Sequence, residues 1–294
     1  MLYRIAEHIL RVELQNTAAT RAVLSSYEPF IIEDDDVKAL CTVTVDDTLK
    51  AYPKTELRLI KDVDTGNGPI AVYRHTVNGE DVGYQFVIRD IYGNSCSLLQ
   101  ADNDFSNCRC ALRGSETMIS FGLNNALMLS YAFSTGRFGT LLVHASMVRR
   151  NGKAYAFIAV SGTGKSTQTA NWLKVFPDCD LMNDDNPVFR VVDGKVTAYG
   201  SPWSGKTPCY RNVSAPLAGI AKIVRDKENF LVPMMPVEAF TEMMTSVSMM
   251  RWDKDLIRHI NQTISQIVEN VPMYNLHCLP DEDSARVASK GMEA

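Results

Sequence analysis

The segment FIAVSGTGKSTQT, residues 157–169, joins an apolar run to small residues, a lysine and hydroxyl side chains. An apolar strand that enters a small-residue loop and leaves as a helix makes an anion site, because loop amides and the helix N-terminus carry positive partial charge. Glycine lets the backbone come close to phosphate oxygens. The pattern therefore predicts a phosphate-binding loop. Its residues are Ser161, Gly162, Thr163, Gly164, Lys165, Ser166 and Thr167.

Two residues of this loop have distinct expected roles. Lys165 would neutralise the outer phosphates, and the Ser166 hydroxyl is placed to hold Mg²⁺. Ala159 stands where the Walker A pattern has its first glycine, and alanine is still small. The alternative interpretation is an ordinary strand–loop–helix turn with a surface lysine.

Two adjacent carboxylates follow at the end of a short apolar strand, in the segment LMNDDNP, residues 181–187. A Walker B acid belongs at a strand end beside the phosphate loop. Because neighbouring residues of a strand point in different directions, one of Asp184 and Asp185 can face Mg²⁺ while the other faces an acceptor hydroxyl. The alternative is a turn of the Asx type before Pro187.

A histidine interrupts the apolar run LLVHASMV, residues 141–148. We place His144 in the middle of a strand that neighbours the strand before the phosphate loop. On the residues alone, a lone histidine in such a strand is more often a core residue with satisfied hydrogen bonds than a site residue.

The chain divides by its pattern near residue 115. Residues 1–115 are rich in strand and turn signals, including hairpins at Asn78-Gly79 and through YGNS. Residues 116–133 have helical spacing, and the rest alternates strands with helices, including a hairpin at Asp193-Gly194 and a helix over 236–250. We therefore predict a β-rich N-terminal region of unknown role, residues 1–115, and a nucleotide-binding domain, residues 116–294.

Composition narrows the functional classes. The chain has 294 residues, of which 46% are hydrophobic and 22% charged, with a net charge of -4. This balance argues against a nucleic-acid-binding surface over the whole protein. Charges interrupt the N-terminal apolar run, so we expect no signal peptide, no membrane span and a cytoplasmic protein. Seven cysteines favour reduced thiols, with the pair Cys108 and Cys110 as strand thiols rather than metal ligands. The acidic run EDDD, residues 33–36, fits a solvated loop better than a cation site.

Five segments in order carry a resemblance to a known family. They read HASMV, AVSGTGKST, LMNDDNPV, GSPWSGK and VPMYNLHCLPDEDS. The set resembles HPr-kinase-like proteins of the phosphoenolpyruvate carboxykinase superfamily over roughly residues 116–294. The resemblance implies an α/β (α+β) fold with a carboxykinase-type P-loop core and a mixed, bent sheet. It also implies ATP, Mg²⁺ and phosphoryl transfer to a hydroxyl, typically of a serine.

The resemblance also implies roles for the site residues. Asp184 would be the base that accepts the proton of the acceptor hydroxyl, and Asp185 would bind the metal with Ser166. His144 matches the family histidine near the metal and phosphates, and Lys165 would act on the phosphates. The division of labour between the two aspartates stays open.

The sequence departs from authentic HPr kinases, because their Gly-rich signature and basic loop after the catalytic strand are missing. The expected acceptor is therefore a free amino acid, another small hydroxyl compound or a serine in a modified peptide, not HPr. In the segment GSPWSGKTPCYR, Lys206 and Arg211 could meet phosphate or an acidic substrate. Trp203 could stack on a ligand or serve as the aromatic anchor of a structured loop.

Two other functions remain alternatives to a kinase. A nucleotide-binding regulatory protein without turnover is one, and lyase chemistry of the carboxykinase type is the other. The expected partners are a nucleotide and a hydroxyl acceptor, with neither nucleic acid nor membrane. The preference for ATP, GTP or pyrophosphate and the oligomeric state, including a homo-oligomer, stay open.

Overall fold

A computed structural model describes residues 1–33, 36–64, 68–205 and 207–293 of the protein. Two residues of the acidic run, 34 and 35, and Lys206 lie outside these ranges. The described residues form two mixed sheets with helices, an α+β fold. The chain divides into two compact units, Met1–Thr135 and Gly136–Ala294.

The first unit is built on a mixed sheet. Its strands are β1 (Leu2–Ile5), β2 (His8–Leu14), β3 (Ile31–Ile32), β4 (Cys41–Val45), β5 (Leu57–Asp64), β6 (Pro69–Val77), β7 (Glu80–Arg89), β8 (Ser95–Asp102) and β9 (Asn107–Leu112). The strand order is β3-β1-β2-β4-β9-β8-β7-β6-β5, with β4 parallel to both β2 and β9. Short 3₁₀ segments cover Arg21–Phe30 and Lys54–Glu56.

Helix α1 (Glu116–Thr135) belongs to this first unit. Its Phe133 ring packs 5.2 Å from the ring of Phe105 and 6.3 Å from that of Phe86, both on the sheet side of the core. Burial of these aromatic rings ties the helix to the N-terminal sheet. The compact units therefore divide after α1, whereas the pattern boundary near residue 115 lies before it. The roles assigned to the two ranges stay predictions.

The second unit contains the predicted loop. Its strands are β10 (Thr140–Leu142), β11 (Ala145–Arg150), β12 (Lys153–Ile158), β13 (Cys179–Asp185), β14 (Val188–Val192), β15 (Lys195–Tyr199), β16 (Ser214–Arg225), β17 (Phe230–Pro233) and β18 (Met273–Cys278). Its helices are α2 (Lys165–Val175), α3 (Pro236–Ser246), α4 (Lys254–Asn270) and α5 (Glu282–Met292), with a 3₁₀ turn at Gly136–Phe138.

The sheet of the second unit brings the strands of the predicted site side by side. Its order is β10-β14-β15-β16-β12-β11-β13, and β18 pairs with β16 and with β17. Strand β12 runs parallel to β16 and antiparallel to β11, which also pairs with β13. Strand β12, which enters the predicted loop, therefore lies between β16 and β11. Strand β13, which carries the two aspartates, is the next strand beyond β11.

The predicted hairpin turns are present, and their backbone explains the residue types. Asn78 and Gly79 have φ values of 52° and 85°, and Asp193 and Gly194 have values of 50° and 73°. Asparagine, aspartate and glycine tolerate this left-handed region better than other residues. The hairpin predicted through YGNS joins β7 to β8.

The prediction that His144 lies in the middle of a strand is wrong. The chain changes partners at this residue, because β10 pairs with β14 whereas β11 pairs with β12 and β13. The His144 amide donates to the Ser246 carbonyl at 2.7 Å, outside both ladders. The side chain is 42% exposed, so it is not a core histidine.

Helix α3 ends earlier than its sequence pattern predicts. It stops at Ser246, and Val247 then forms an isolated bridge with Val143. Pairing with the chain before His144 thus replaces the last predicted turn of helix. Within the described residues, no helix combines the length and apolar character that crossing a membrane requires.

The cysteines are free thiols throughout the chain. Cys108 and Cys110 lie on β9 and are buried, and Cys110 Sγ lies 3.2 Å from Ser97 Oγ. Burial raises the pKa of the Cys110 thiol to about 12, so the thiol stays protonated at neutral pH.

Candidate functional site

The predicted phosphate loop connects β12 to α2 over residues 159–164. Gly162 and Gly164 have φ values of 79° and 138°, a region that L side chains rarely adopt. A Cβ at Gly162 would meet nothing within 4 Å, so the backbone conformation, not a steric contact, calls for glycine there. Gly164 is also the N-cap of α2.

Arg225, the last residue of β16, donates hydrogen bonds to two carbonyl groups of this loop. Its Nη2 donates to the Gly162 carbonyl at 2.5 Å, and its Nε donates to the Thr163 carbonyl at 3.1 Å. Carbonyl and amide of one peptide point in opposite directions, so the Thr163 contact turns the Gly164 N–H away from Arg225. The Thr163 N–H is itself engaged by the Val160 carbonyl at 3.1 Å.

Lys165 is buried at the start of α2, with 8% of the residue exposed. Its Nζ lies 2.9 Å from His144 Nε2 and 3.4 Å from the Ala159 carbonyl. Burial lowers the pKa of the Lys165 ammonium, and the charges of Asp185 and Asp184 oppose that shift only in part. The ammonium group is therefore partly desolvated, and the two aspartates do not fully compensate for its burial. Additional negative charge next to it would stabilise the charged form.

Asp184 is enclosed by hydrogen-bond donors and is only 2% exposed. Its Oδ1 accepts from Ser146 Oγ at 2.5 Å and from Ser166 Oγ at 2.9 Å. Its Oδ2 accepts from the Thr207 N–H at 3.2 Å. This carboxylate thus touches the loop hydroxyl that the sequence predicts as a metal ligand.

Asp185 has different neighbours. Its Oδ1 lies 3.0 Å from His144 Nε2, and its Oδ2 accepts from Asn186 Nδ2 at 2.9 Å. Burial raises the pKa of the Asp185 carboxyl, but the hydrogen bond and charge of His144 and the charge of Lys165 lower it more, so the net pKa is below its ordinary value. The carboxylate is therefore ionised at neutral pH.

The backbone at Asp185 is strained. Its φ is 125°, where residues other than glycine are rare. A strained residue persists only where the surrounding structure holds it, and such residues cluster at functional sites. Here Asp185 is held by its pairing with Ala145 in the neighbouring strand and by a bridge to Ser204.

His144 joins the lysine to the second aspartate through one atom. The same Nε2 lies within hydrogen-bond distance of Lys165 Nζ and Asp185 Oδ1. A single ring nitrogen can accept from the lysine or donate to the carboxylate, but not both at once. The three side chains thus form one connected group of polar contacts beside the loop.

The remaining predicted loop residues occupy the loop and the first turn of α2. Ser161, Gly162 and Thr167 are exposed, whereas Thr163, Gly164 and Ser166 are partly buried. The exposed positions leave this side of the loop open to a ligand.

The segment after β15 supports the aspartates rather than facing a ligand. Trp203 is 1% exposed, which fits the interpretation as an aromatic anchor. Ser204 Oγ donates to the Asp184 carbonyl at 2.9 Å. Arg211 Nη1 pairs with Asp180 Oδ2 at 2.8 Å, so its charge is engaged by a protein carboxylate. Lys206 lies outside the described residues.

The oxygen donors of the site fit Mg²⁺ that arrives with phosphates. Across the part of the chain that the structure describes, no group of three or more His, Cys, Asp or Glu side chains could hold a metal ion. Mg²⁺ usually takes one or two carboxylates together with substrate phosphates and water. Ser166, Asp184 and Asp185 supply a donor set of that kind, which is incomplete without a ligand.

Among solved structures, the chain is similar to the Hpr(Ser) kinase/phosphatase from Coxiella burnetii. The two have 9% sequence identity and a TM-score of 0.31, over 52% of this chain and 99% of that chain. No protein-family model and no curated protein matches the chain.

Sequence reasoning missed the residues that reach the site from other strands. Ser146 could have been found from the sequence, because it is a polar residue two positions after His144 in a strand-like apolar run. Arg225 could not have been found in this way, because its position beside the loop depends on the parallel pairing of β12 with β16. Thr207 acts through its backbone amide, which any residue except proline possesses.

Proposed function

We propose that the protein is an ATP- and Mg²⁺-dependent kinase that transfers a phosphoryl group to the hydroxyl of a small molecule or peptide other than HPr. One observation carries the proposal: the 2.9 Å contact between Ser166 Oγ and Asp184 Oδ1 joins the loop hydroxyl to the acidic pair. Lys165, His144 and Asp185 lie in the same group of contacts. A positive loop and adjacent carboxylates are what phosphoryl transfer requires.

The chemistry asks mainly for positioning and for one proton transfer. The loop amides and Lys165 would hold the phosphates of the donor, and Ser166 with one of the two aspartates would hold Mg²⁺, which neutralises charge on the phosphates. The other aspartate would accept the proton of the acceptor hydroxyl. The hydroxyl oxygen would bond to the terminal phosphorus as the bond between that phosphorus and the bridging oxygen of the donor breaks.

The contacts favour the reverse of the division of roles that the resemblance implies. Asp184 is enclosed, and one of its hydrogen bonds comes from the hydroxyl expected to bind Mg²⁺. The Asp185 side chain is 33% exposed and can be reached by an acceptor. We therefore assign Asp184 to the metal side and Asp185 to the proton, with His144 orienting Asp185.

Three variants test the proposal. Lys165→Ala should abolish nucleotide binding, whereas Lys174→Ala, an exposed lysine on the same helix, should not. Asp185→Asn should keep nucleotide binding and stop transfer at every Mg²⁺ concentration. Asp184→Asn should raise the Mg²⁺ concentration needed for binding and turnover. The opposite behaviour of the two aspartate variants would restore the division of roles that the resemblance implies.

The readout is mass spectrometry of a panel of hydroxyl metabolites and peptides incubated with the protein, ATP and Mg²⁺. A wild-type protein that binds ATP and phosphorylates none of them would favour a nucleotide-binding regulatory protein instead. ATP consumption that depends on oxaloacetate would favour carboxykinase-type lyase chemistry.

A further inference from the structure

A cavity of about 600 Å³ lies in the unit Met1–Thr135, where the short edge strand β3 pairs with β1. Its lining consists of Met1–Tyr3, Arg21, Leu24, Glu28 and Ile31–Glu33. The middle three of these belong to the 3₁₀ segment Arg21–Phe30. The volume is in the range of small-molecule sites. None of the residues that we assign to phosphoryl transfer borders this cavity.

Packing of the 3₁₀ segment against β1 holds one wall of the cavity in place. The ring of Tyr27 lies 5.3 Å from the ring of Tyr3, and Tyr27 Oη donates to Asn124 Oδ1 at 3.3 Å. Leu24, Tyr27 and Phe30 are all buried. The wall is therefore part of the core of this unit, so a ligand would meet a surface that is already formed.

The cavity has one buried polar group with a weak partner. Tyr3 is 1% exposed, and its hydroxyl donates to Met1 Sδ at 3.4 Å, its one hydrogen bond within the described residues. A thioether sulfur is a weak acceptor, whereas a buried tyrosine hydroxyl usually has a strong partner. The oxygen of this hydroxyl can still accept a hydrogen bond, and its proton can turn to a stronger acceptor. The hydroxyl is therefore available to a polar ligand group.

Charges of both signs lie near this hydroxyl. Burial raises the pKa of Tyr3 to about 12, the positive charge of Arg21 lowers it, and the negative charge of Glu28 raises it. The side chains of Arg21 and Glu28 make no ion pair or hydrogen bond to any residue that the structure describes. Leu24 stands between them in the chain, and Glu33 adds a second carboxylate to the lining. A purely anionic ligand therefore does not match these charges.

We propose that this cavity binds a small zwitterion with an apolar body, either an apolar amino acid or a short apolar peptide. Arg21 would bind the carboxylate, because a guanidinium presents paired donors to its two oxygens. Glu28 would bind the ammonium group, and the Tyr3 hydroxyl would bond to a polar end of the ligand. The apolar body would pack on Leu24 and on Ile31, which is 50% exposed and would gain from being covered. The inference goes beyond the proposed function and does not depend on it.

Calorimetric titration of the full chain with phenylalanine and with a phenylalanine–leucine dipeptide tests the two sources of such a ligand. Binding of either supports the site. For the ligand that binds, acetylation of the amine or amidation of the carboxylate should weaken binding by at least about tenfold, because each removes a charge-assisted hydrogen bond. Glycine should bind far more weakly, because it has no apolar body to bury.

Substitutions assign each charge to its partner. Arg21→Gln should remove the preference for the free carboxylate over the amide and keep the preference for the free amine. Glu28→Gln should do the reverse. Tyr3→Phe, which keeps the ring, should weaken binding by about threefold to tenfold through the lost hydrogen bond. The matched control Arg58→Gln, at an exposed arginine of β5 outside the cavity, should leave binding and both preferences unchanged.

Thermal melts check that every variant is folded. Three results would each overturn the site: binding of neither ligand by the wild type at millimolar concentration, equal binding of the blocked analogues, or variants that retain both preferences. None of them would affect the kinase proposal, because no residue of this cavity has a role in it. Conversely, a protein that binds the zwitterion but no nucleotide would keep this site and lose the kinase.

Discussion

Lys165 is a cation kept inside the protein, and its surroundings disfavour its charge. Burial lowers its pKa, and its Nζ lies 2.9 Å from His144 Nε2. A residue that a ligand needs can lower the stability of the ligand-free protein. At the scale of the residue, the burial of this charge fits the proposed role of Lys165 in binding phosphate better than a role in stabilising the fold.

This argument predicts the effect of Lys165→Met, which keeps the side-chain length and removes the charge. Without nucleotide, the variant should melt at the same temperature as the wild type or higher, measured by circular dichroism. With MgATP, only the wild type should gain stability. The control Lys174→Met, at an exposed position of the same helix, should keep the nucleotide-dependent gain. A variant that melts well below the wild type would mean that the charge itself stabilises the fold.

Asp180 provides a prediction on pH dependence. Burial raises the pKa of its carboxyl, but hydrogen bonds and charges from Arg149 and Arg211 lower it more, so the folded pKa is below the ordinary 3.8. Such a carboxyl stabilises the fold above the unfolded pKa, and the stabilisation is lost as pH falls through the folded pKa. The side chain is 36% exposed, so solvent weakens the ion pairs.

We therefore expect Asp180→Asn to lower the free energy of unfolding by at most about 1 kcal/mol at pH 7. The difference from the wild type should shrink as pH falls below 3.8. Urea denaturation at several pH values measures it, with Asp193→Asn at an exposed turn as the control. A difference that stays constant down to pH 3 would show that the ion pairs do not cause it.

At the scale of the element, one buried ring packs helix α2 against the strand that precedes the loop. Trp172 is fully buried, with its ring 5.2 Å from Tyr155, 5.7 Å from Phe157 and 5.4 Å from Phe176. Two of these rings lie on β12, the strand that enters the loop. The packing of Trp172 therefore sets how the strand and the helix meet at the phosphate loop.

Trp172→Ala should lower the free energy of unfolding by about 3–5 kcal/mol, because it removes a large core side chain and leaves a cavity. Urea denaturation followed by circular dichroism measures the loss. Leu173→Ala, whose side chain is on the exposed side of the same helix, should cost about 0.5 kcal/mol or less. Similar costs for both variants would contradict the role of Trp172 as the anchor of this helix.

A break between two strands positions His144. The chain leaves β10 and enters β11 with a change of partners, so the histidine belongs to neither ladder. The sequence shows one uninterrupted apolar run there, because the residues of β10 and those of β11 both have the pattern of a strand. Only the pairing of the halves with different strands makes the break.

At the scale of the whole molecule, the chain divides into two compact units, Met1–Thr135 and Gly136–Ala294. The three tryptophans Trp172, Trp203 and Trp252 all lie in the unit Gly136–Ala294. Tryptophan fluorescence therefore reports on this unit alone, whereas far-ultraviolet circular dichroism reports on both. Units with their own cores can unfold as separate cooperative transitions.

We expect the denaturation curves measured by the two methods not to coincide. MgATP should shift the fluorescence transition to higher denaturant concentration, because the proposed site lies in the unit that carries the tryptophans. As a control, tyrosine-specific absorbance, which samples both units, should follow circular dichroism. Coincident curves at every nucleotide concentration would mean that the chain unfolds as one cooperative body.

Much of the local structure was predictable from the sequence. The hairpins follow from Asn-Gly and Asp-Gly pairs, and the loop follows from its small residues before Lys165. Boundaries were less predictable: α1 joins the N-terminal unit through Phe133, and α3 stops where Val247 pairs with Val143. Both outcomes depend on partners that are distant in sequence.

The sequence by itself determined which groups the site can use: a lysine, hydroxyls and two carboxylates at strand and helix ends. The reason is that local turn chemistry and side-chain type are properties of a few adjacent residues. Only the tertiary structure decided that Asp184 meets Ser146 and Ser166, that Asp185 meets His144, and that Arg225 holds the loop. Strand order and register bring these residues together from distant parts of the chain, and no local pattern contains that information.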